Sequence, residues 1–203
     1  MLPRRLASTR MLVMGKIYEG IGGRLAEFIS AQHVFFTATA PSGADGHVNV
    51  SPKGMSGTFA ILDEHRVAYL DYTGSGSEGL AHLRENGRIC LMFCAFDGPP
   101  NIVRLHGRGE PVFVGDPRFA ELAAHFGEPG RHGLRAIVVV EVTRVSDSCG
   151  YGVPLLDYQG DRDILVRYMA RKDDEKMAAY QALKNTESID GLPALPPSAV
   201  EAR

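Results

Sequence analysis

The sequence predicts a mainly β protein, a small closed barrel with helical trimmings, and three observations lead there. Six or seven stretches are rich in β-branched and aromatic residues and are bounded by Gly, Pro, Asn and Asp. Only short helical segments fall between them, so strands do not alternate with long helices as a doubly wound parallel sheet requires. The 203 residues show no internal repeat and no dividing linker, a length that suits one domain with an extension.

Taken in order, residues 20–32 (GIGGRLAEFISAQ) place Leu25, Phe28 and Ile29 at helical spacing. HVFFTATA is β-branched and aromatic, a buried strand. PSGADG is turn chemistry and delivers the chain into HVNVSPK, so residues 33–53 read as a β-hairpin. TFAIL, a DEH turn and RVAYLDY make a second pair of strands. SEGLAHLREN is a short helix, and RICLMFCAF and NIVRLHGRGEPVFV are strands, the latter long enough to bend at Gly107 or Gly109. Residues 116–126 open with Asp116 as a cap and Pro117 at the first helical position. LRAIVVVEVTRV is the strongest strand pattern in the chain. An amphipathic helix is expected over 161–184, and residues 161–203 as a whole are expected to pack on the domain as a helix and a proline-rich tail.

Composition excludes several classes. Net charge is −2, which gives no basic field for nucleic acid. No apolar run approaches the roughly 18 residues of a membrane span. Cys90, Cys94 and Cys149 form no CxxC pair, and Cys90 and Cys94 share one strand face as small hydrophobes, which fits a reducing cytoplasm. The histidines show no HxxxH or HxH grouping, so no metal site is expected. Residues 1–14, basic and without acids, resemble an organelle-targeting segment or an over-extended start ahead of Met14; they are set apart from the fold.

Four segments carry candidate chemistry. In HVNVSPK the polar residues His47, Asn49, Ser51 and Lys53 alternate with Val48, Val50 and Pro52, a strand with one wet face that ends in a cation. In TGSGSEGLAHL, Ser75 and Glu78 stand in capping-box relation, and Gly74, Gly76 and Gly79 allow close backbone approach. Two readings stay open there: a well-capped helix, or a phosphate cradle at a helix N-terminus. Arg104, His106 and Arg108 share one face of NIVRLHGRG, either lining an anion's groove or guarding an edge. In SDSCGYGVP, Cys149 lacks a neighbouring base, His125 and His132 being the nearest in sequence, so a tight turn that carries Tyr151 is favoured over nucleophilic catalysis.

Four stretches together, HVFFTATAPSGADGHVNVSPKG, RVAYLDYTGSGSEGLAHLRENGRICLMF, IVRLHGRGE and VTRVSDSCGYGVP, resemble the pyridoxamine 5'-phosphate oxidase-like family of flavin-binding split barrels over residues 16–160. The resemblance implies a six-stranded antiparallel split β-barrel over 15–160 with flanking helices. It implies a homodimer with FMN, or in some relatives a deazaflavin, between subunits. By position, Asn49, Ser51 and Lys53 would run along the ring and ribityl chain. Tyr72, Thr73, Ser75 and Ser77 would approach the ribityl and phosphate, with Arg104 as a further candidate. Two departures stand out. The loop GSGSE lacks the base that relatives place against the phosphate, leaving Arg84, Arg88 or Arg104 to supply one. The end IDGLPALPPSAVEAR also lacks the basic, aromatic stretch of true pyridoxamine phosphate oxidases. The implied activity is a flavin-dependent oxidoreductase on an unknown small molecule, with no evident catalytic side chain; the alternative is flavin binding without turnover, as a sensor or carrier.

Overall fold

The structure, a computed structural model, describes residues 15–127 and 132–196; the expectation for residues 1–14 lies outside these. One antiparallel sheet contains β1 (Ile17–Tyr18), β2 (Phe35–Thr39), β3 (Asn49–Lys53), β4 (Phe59–Asp63), β5 (Arg66–Tyr72), β6 (Arg88–Cys94), β7 (Ile102–Phe113) and β8 (Leu134–Ser148). The order is β3-β2-β6-β7-β8-β5-β4, with β1 on β8. The seven strands legible in the sequence form this path, one more than the six the resemblance implied. The two-residue β1 is too short to carry a pattern.

The sheet curls on itself. In its order β2 and β4 lie far apart, yet the Phe35 ring centroid is 5.1 Å from Phe59 and 5.8 Å from Tyr69. Phe59 also sits 5.2 Å from Phe93 on β6. Aromatic packing thus closes the interior, while among the described residues β3 and β4 remain unpaired edges, which makes the barrel split. One core cluster fills this interior with Val67, Leu91, Val103, Leu105, Val138 and Val140 among its fully buried members. A second cluster, Ala68, Leu70, Leu134 and Ile137 with Ala123 and Phe126, packs the opposite face of β5 and β8. Both faces of these two strands are covered, which explains why LRAIVVVEV is a continuous apolar run and not an alternating one.

The helices are α1 (Arg24–Ala31), α2 (Glu78–Asn86), α3 (Phe119–Ala123), α4 (Ile164–Ala170) and α5 (Asp174–Lys184). Two expectations need correction. Asp116 closes a turn by accepting from the Arg118 N–H at 2.8 Å, so the helix begins only at Phe119 and lasts five residues. The single helix expected over 161–184 is two: Asp173 accepts from the Lys176 N–H and starts α5 afresh. The bend expected in β7 falls at Gly107, where the β7–β8 register shifts. A Cβ on Gly107 would stand 2.1 Å from the Glu141 carbonyl oxygen, so only glycine allows this approach. Beyond α5, Ala194 and Leu195 are buried in the main core.

Candidate functional site

The alternation in β3 is real, and it sets the polar residues inward. Asn49, Ser51 and Lys53 are half-buried and lie opposite Thr39, Thr37 and Phe35 of β2. The Asn49 amide donates to Thr39 Oγ1 at 3.4 Å, and the Ser51 hydroxyl donates to Asn49 Oδ1 at 3.2 Å. The apolar residues are the ones facing out: Val48 is 70% exposed and Val50 60%. The polar face is therefore half-buried, with Lys53 still 25% exposed at its side chain, and the valines are the residues turned fully outward.

Lys53 ends the row in an ionic centre. Its ammonium donates to Asp71 Oδ2 at 2.8 Å, and Arg135 Nε donates to Asp71 Oδ1 at 2.8 Å. Asp71 and Arg135 are each 6% exposed at the side chain and Lys53 25%. Burial alone would raise the Asp71 carboxyl; the Arg135 guanidinium and then Lys53 outweigh it and hold it at about 2. Arg135 reaches this point because the β5–β8 register shifts between Asp71 and Tyr72, which face Ala136 and Leu134. Such an irregularity re-aims a side chain. The same guanidinium donates to the Gly76 carbonyl at 3.0 Å, tying the ionic centre to the glycine–serine loop.

That loop is engaged from within the chain. Thr73 is fully buried and accepts from the Gln181 amide of α5 at 2.7 Å. The Asn185 amide donates to the Gly74 carbonyl at 3.1 Å, and the Ser77 hydroxyl, 2% exposed, donates to the Glu187 carbonyl at 3.1 Å. The capping box does not form: Ser77, not Ser75, is the N-cap residue, and no side chain caps the helix. The Glu78 carboxylate lies over the loop, since a Cβ at Gly76 would meet its Oε2 at 2.4 Å. Ser75 is exposed.

The other expected site residues lie elsewhere. Tyr72 is half-buried against the second cluster, beneath α3. Arg104 is on the outward face of β7, half-buried, with its guanidinium donating to Ser148 Oγ at 3.0 Å. His106 and Arg108 share that face, as the alternation required. Arg84 is held by the carbonyls of Pro193 and Leu195, and Arg88 by that of Pro41. Cys149 lines a shallow pocket with Lys16, Asn101 and Asp147 and no histidine, and Tyr151 is 83% exposed. Among the described residues no group of acids, histidines and cysteines is arranged to hold a metal.

Sequence reasoning missed Asp71, Arg135 and His82. The first two carried a signal, each being a charge inside an apolar strand run, RVAYLDY and LRAIVVV. His82 is fully buried on α2, where its Nδ1 is 3.0 Å from Thr39 Oγ1; burial lowers its pKa and keeps it neutral.

Residues 21–149 match the family described as pyridoxamine 5'-phosphate oxidase. A pyridoxamine 5'-phosphate oxidase family protein, ustO of Aspergillus flavus, is 38% identical over 194 residues, covering 88% of this chain and 77% of that protein. A crystal structure of a HupZ variant from Group A Streptococcus aligns with a TM-score of 0.50 at 22% identity, covering 63% of this chain and 98% of that one. At that identity the structural likeness speaks to fold alone. With a split antiparallel barrel, the matched segment spanning β2 to β8 and a relative this similar over most of both chains, the protein belongs to the pyridoxamine 5'-phosphate oxidase family.

Proposed function

We propose that the protein is a flavin-dependent oxidoreductase that binds FMN and exchanges hydride or electrons with a small organic molecule. The observation that carries this reading is the half-buried row Asn49, Ser51 and Lys53 at the unpaired edge of a barrel of this family, its terminal ammonium fixed 2.8 Å from Asp71. An ammonium has three donors, and Asp71 takes one. The others are available to an electron-rich ring edge, where the cation would stabilise negative charge. A bound flavin supplies the redox chemistry, and the protein's share is to hold and tune it.

The residues present fit the ring better than the phosphate. Asn49, Ser51 and Lys53 form a contiguous polar row. Thr73 and Ser77 are buried and engaged, and the Glu78 carboxylate over Gly76 repels a dianion at the α2 N-terminus. The GSGSE loop is therefore a poor phosphate cradle in this chain, with only the Ser75 hydroxyl exposed. A base from elsewhere would meet the phosphate. Arg104 is placed for that role if a second copy seats against the outward face of β3, β2, β6 and β7, where Val48 and Val50 are exposed. A homodimer in a reducing cytoplasm completes the proposal, and the three unpaired thiols support that compartment.

The second reading is a protein that binds flavin or deazaflavin without turnover. One observation favours it: among Asn49, Ser51, Lys53 and Asp71 no acid or base stands unpaired. Steady-state oxidation of NADPH or a reduced deazaflavin by the FMN-loaded protein, with an added acceptor, separates the two. Turnover is expected; a flavin that binds and never cycles overturns the oxidoreductase.

A further inference from the structure

Behind the β3 row a line of hydrogen bonds runs into the interior. The Ser51 hydroxyl donates to Asn49 Oδ1 at 3.2 Å, and the Asn49 amide donates to Thr39 Oγ1 at 3.4 Å. Thr39 Oγ1 in turn lies 3.0 Å from His82 Nδ1. Thr39 is 4% exposed and His82 0%, so the line ends on an imidazole sealed between α2 and β2. Among the described residues no hydrogen-bonding group meets the other ring nitrogen, Nε2. The contact with Thr39 alone therefore decides which nitrogen carries the proton.

Proton count fixes the answer. Burial lowers the His82 pKa and keeps the ring neutral, with one N–H and one bare nitrogen. Were Nδ1 to donate, Thr39 Oγ1 would accept from both Asn49 and His82, and its own buried proton would have no acceptor in the line. With Nδ1 bare, Thr39 donates to it and only the Nε2–H is left over. The second arrangement leaves fewer buried groups unsatisfied, so it is the stable one. The line then has a single direction: Ser51 to Asn49, Asn49 to Thr39, Thr39 to His82. Each bond polarises the next.

We propose that His82 is a positioning residue for the flavin, acting through Thr39 and Asn49 to turn the Ser51 proton away from the ligand, so that Ser51 Oγ meets a ring N–H as an acceptor. This inference rests on the flavin reading above. Lys53, two residues along the same face, offers only donors. An acceptor beside a donor matches an imide edge, where an N–H stands between two carbonyls, and the isoalloxazine carries one such edge. A hydroxyl free to rotate would serve a carbonyl equally well. One whose proton is committed to Asn49 does not.

The test uses the full chain at pH 8, with FMN and 3-methyl-FMN, which lacks the imide N–H, as probes. Long-range proton–nitrogen NMR of the histidine-labelled protein is expected to show His82 as the Nε2–H form, its signals assigned by their loss in His82→Asn. The wild type is expected to prefer FMN over 3-methyl-FMN by about five- to tenfold, the size of one neutral hydrogen bond. His82→Leu, which gives Thr39 no acceptor, is expected to bring that ratio to about threefold or less. His82→Asn, whose Oδ1 stands near the Nδ1 position, is expected to restore it. A purely structural role would move stability and leave the ratio unchanged. An Nδ1–H form, equal binding of both flavins by the wild type, or a full preference kept in folded His82→Leu overturns this proposal and leaves the flavin reading standing. A wild type that binds neither compound overturns both.

Discussion

Replacing Asp71 with Asn leaves Arg135 buried without its counter-charge, and breaking one side of a buried pair costs about 3–5 kcal/mol. Urea unfolding at neutral pH is expected to show a loss of this size. The same carboxylate sets an acid limit. Its folded pKa of about 2 lies below the ordinary carboxylate value, so its stabilisation is complete above that ordinary value and is lost as pH falls from about 4 toward 2. The loss amounts to roughly 2–3 kcal/mol in unfolding free energy, and the Asp71→Asn variant is expected to lack that part of the slope. Lys53→Ala is milder for the fold, since Arg135 still holds Asp71; a cost of about 1 kcal/mol is expected. If FMN binds along this row as proposed, its affinity is expected to fall about tenfold or its reduction potential to shift, because a cation near the ring would be lost. Equal affinity and potential in the variant would remove Lys53 from the site. Lys53 was legible from its strand. Asp71 and Arg135 were visible as charges in apolar runs, but their meeting depends on β5–β8 pairing and a register shift that no local pattern encodes.

At the scale of elements, the period-two pattern of β3 was readable and its direction was not. Alternation says that two faces differ; what each face meets is decided by β2, β5 and α2, which are distant in sequence. The glycine–serine loop shows the same limit. Its composition suits an anion, yet Gln181, Asn185 and Glu187, more than a hundred residues later, engage it first. That segment is a structural part of the barrel: Leu195 is buried in the core, and Arg84 donates to two of the segment's carbonyls. Ending the chain after Lys184 is expected to cost about 3 kcal/mol or more, from Leu195 burial and the lost hydrogen bonds. Differential scanning calorimetry checks it; an unchanged melting temperature would show the segment to be dispensable. Helix boundaries were the least legible feature, since Asp116–Pro117 reads as a helix start in any sequence but closes only a turn here.

For the whole molecule, the outward valines of an unpaired edge strand ask for cover, because an exposed apolar edge is an association surface. Sedimentation is expected to give twice the 22.0 kDa chain mass, and Val50→Asp is expected to shift the protein toward monomer with little loss of fold stability. Flavin binding is expected to weaken with it, because Arg104 of a second copy would no longer reach the phosphate. The claim beneath all of these is that the barrel mouth holds a flavin ring along Asn49, Ser51 and Lys53. An absorption titration of the purified protein with FMN tests it most directly. A saturable shift of the flavin bands, one flavin per chain, diminished in Lys53→Ala, is the expected result. Spectra that match free FMN at every concentration would contradict it.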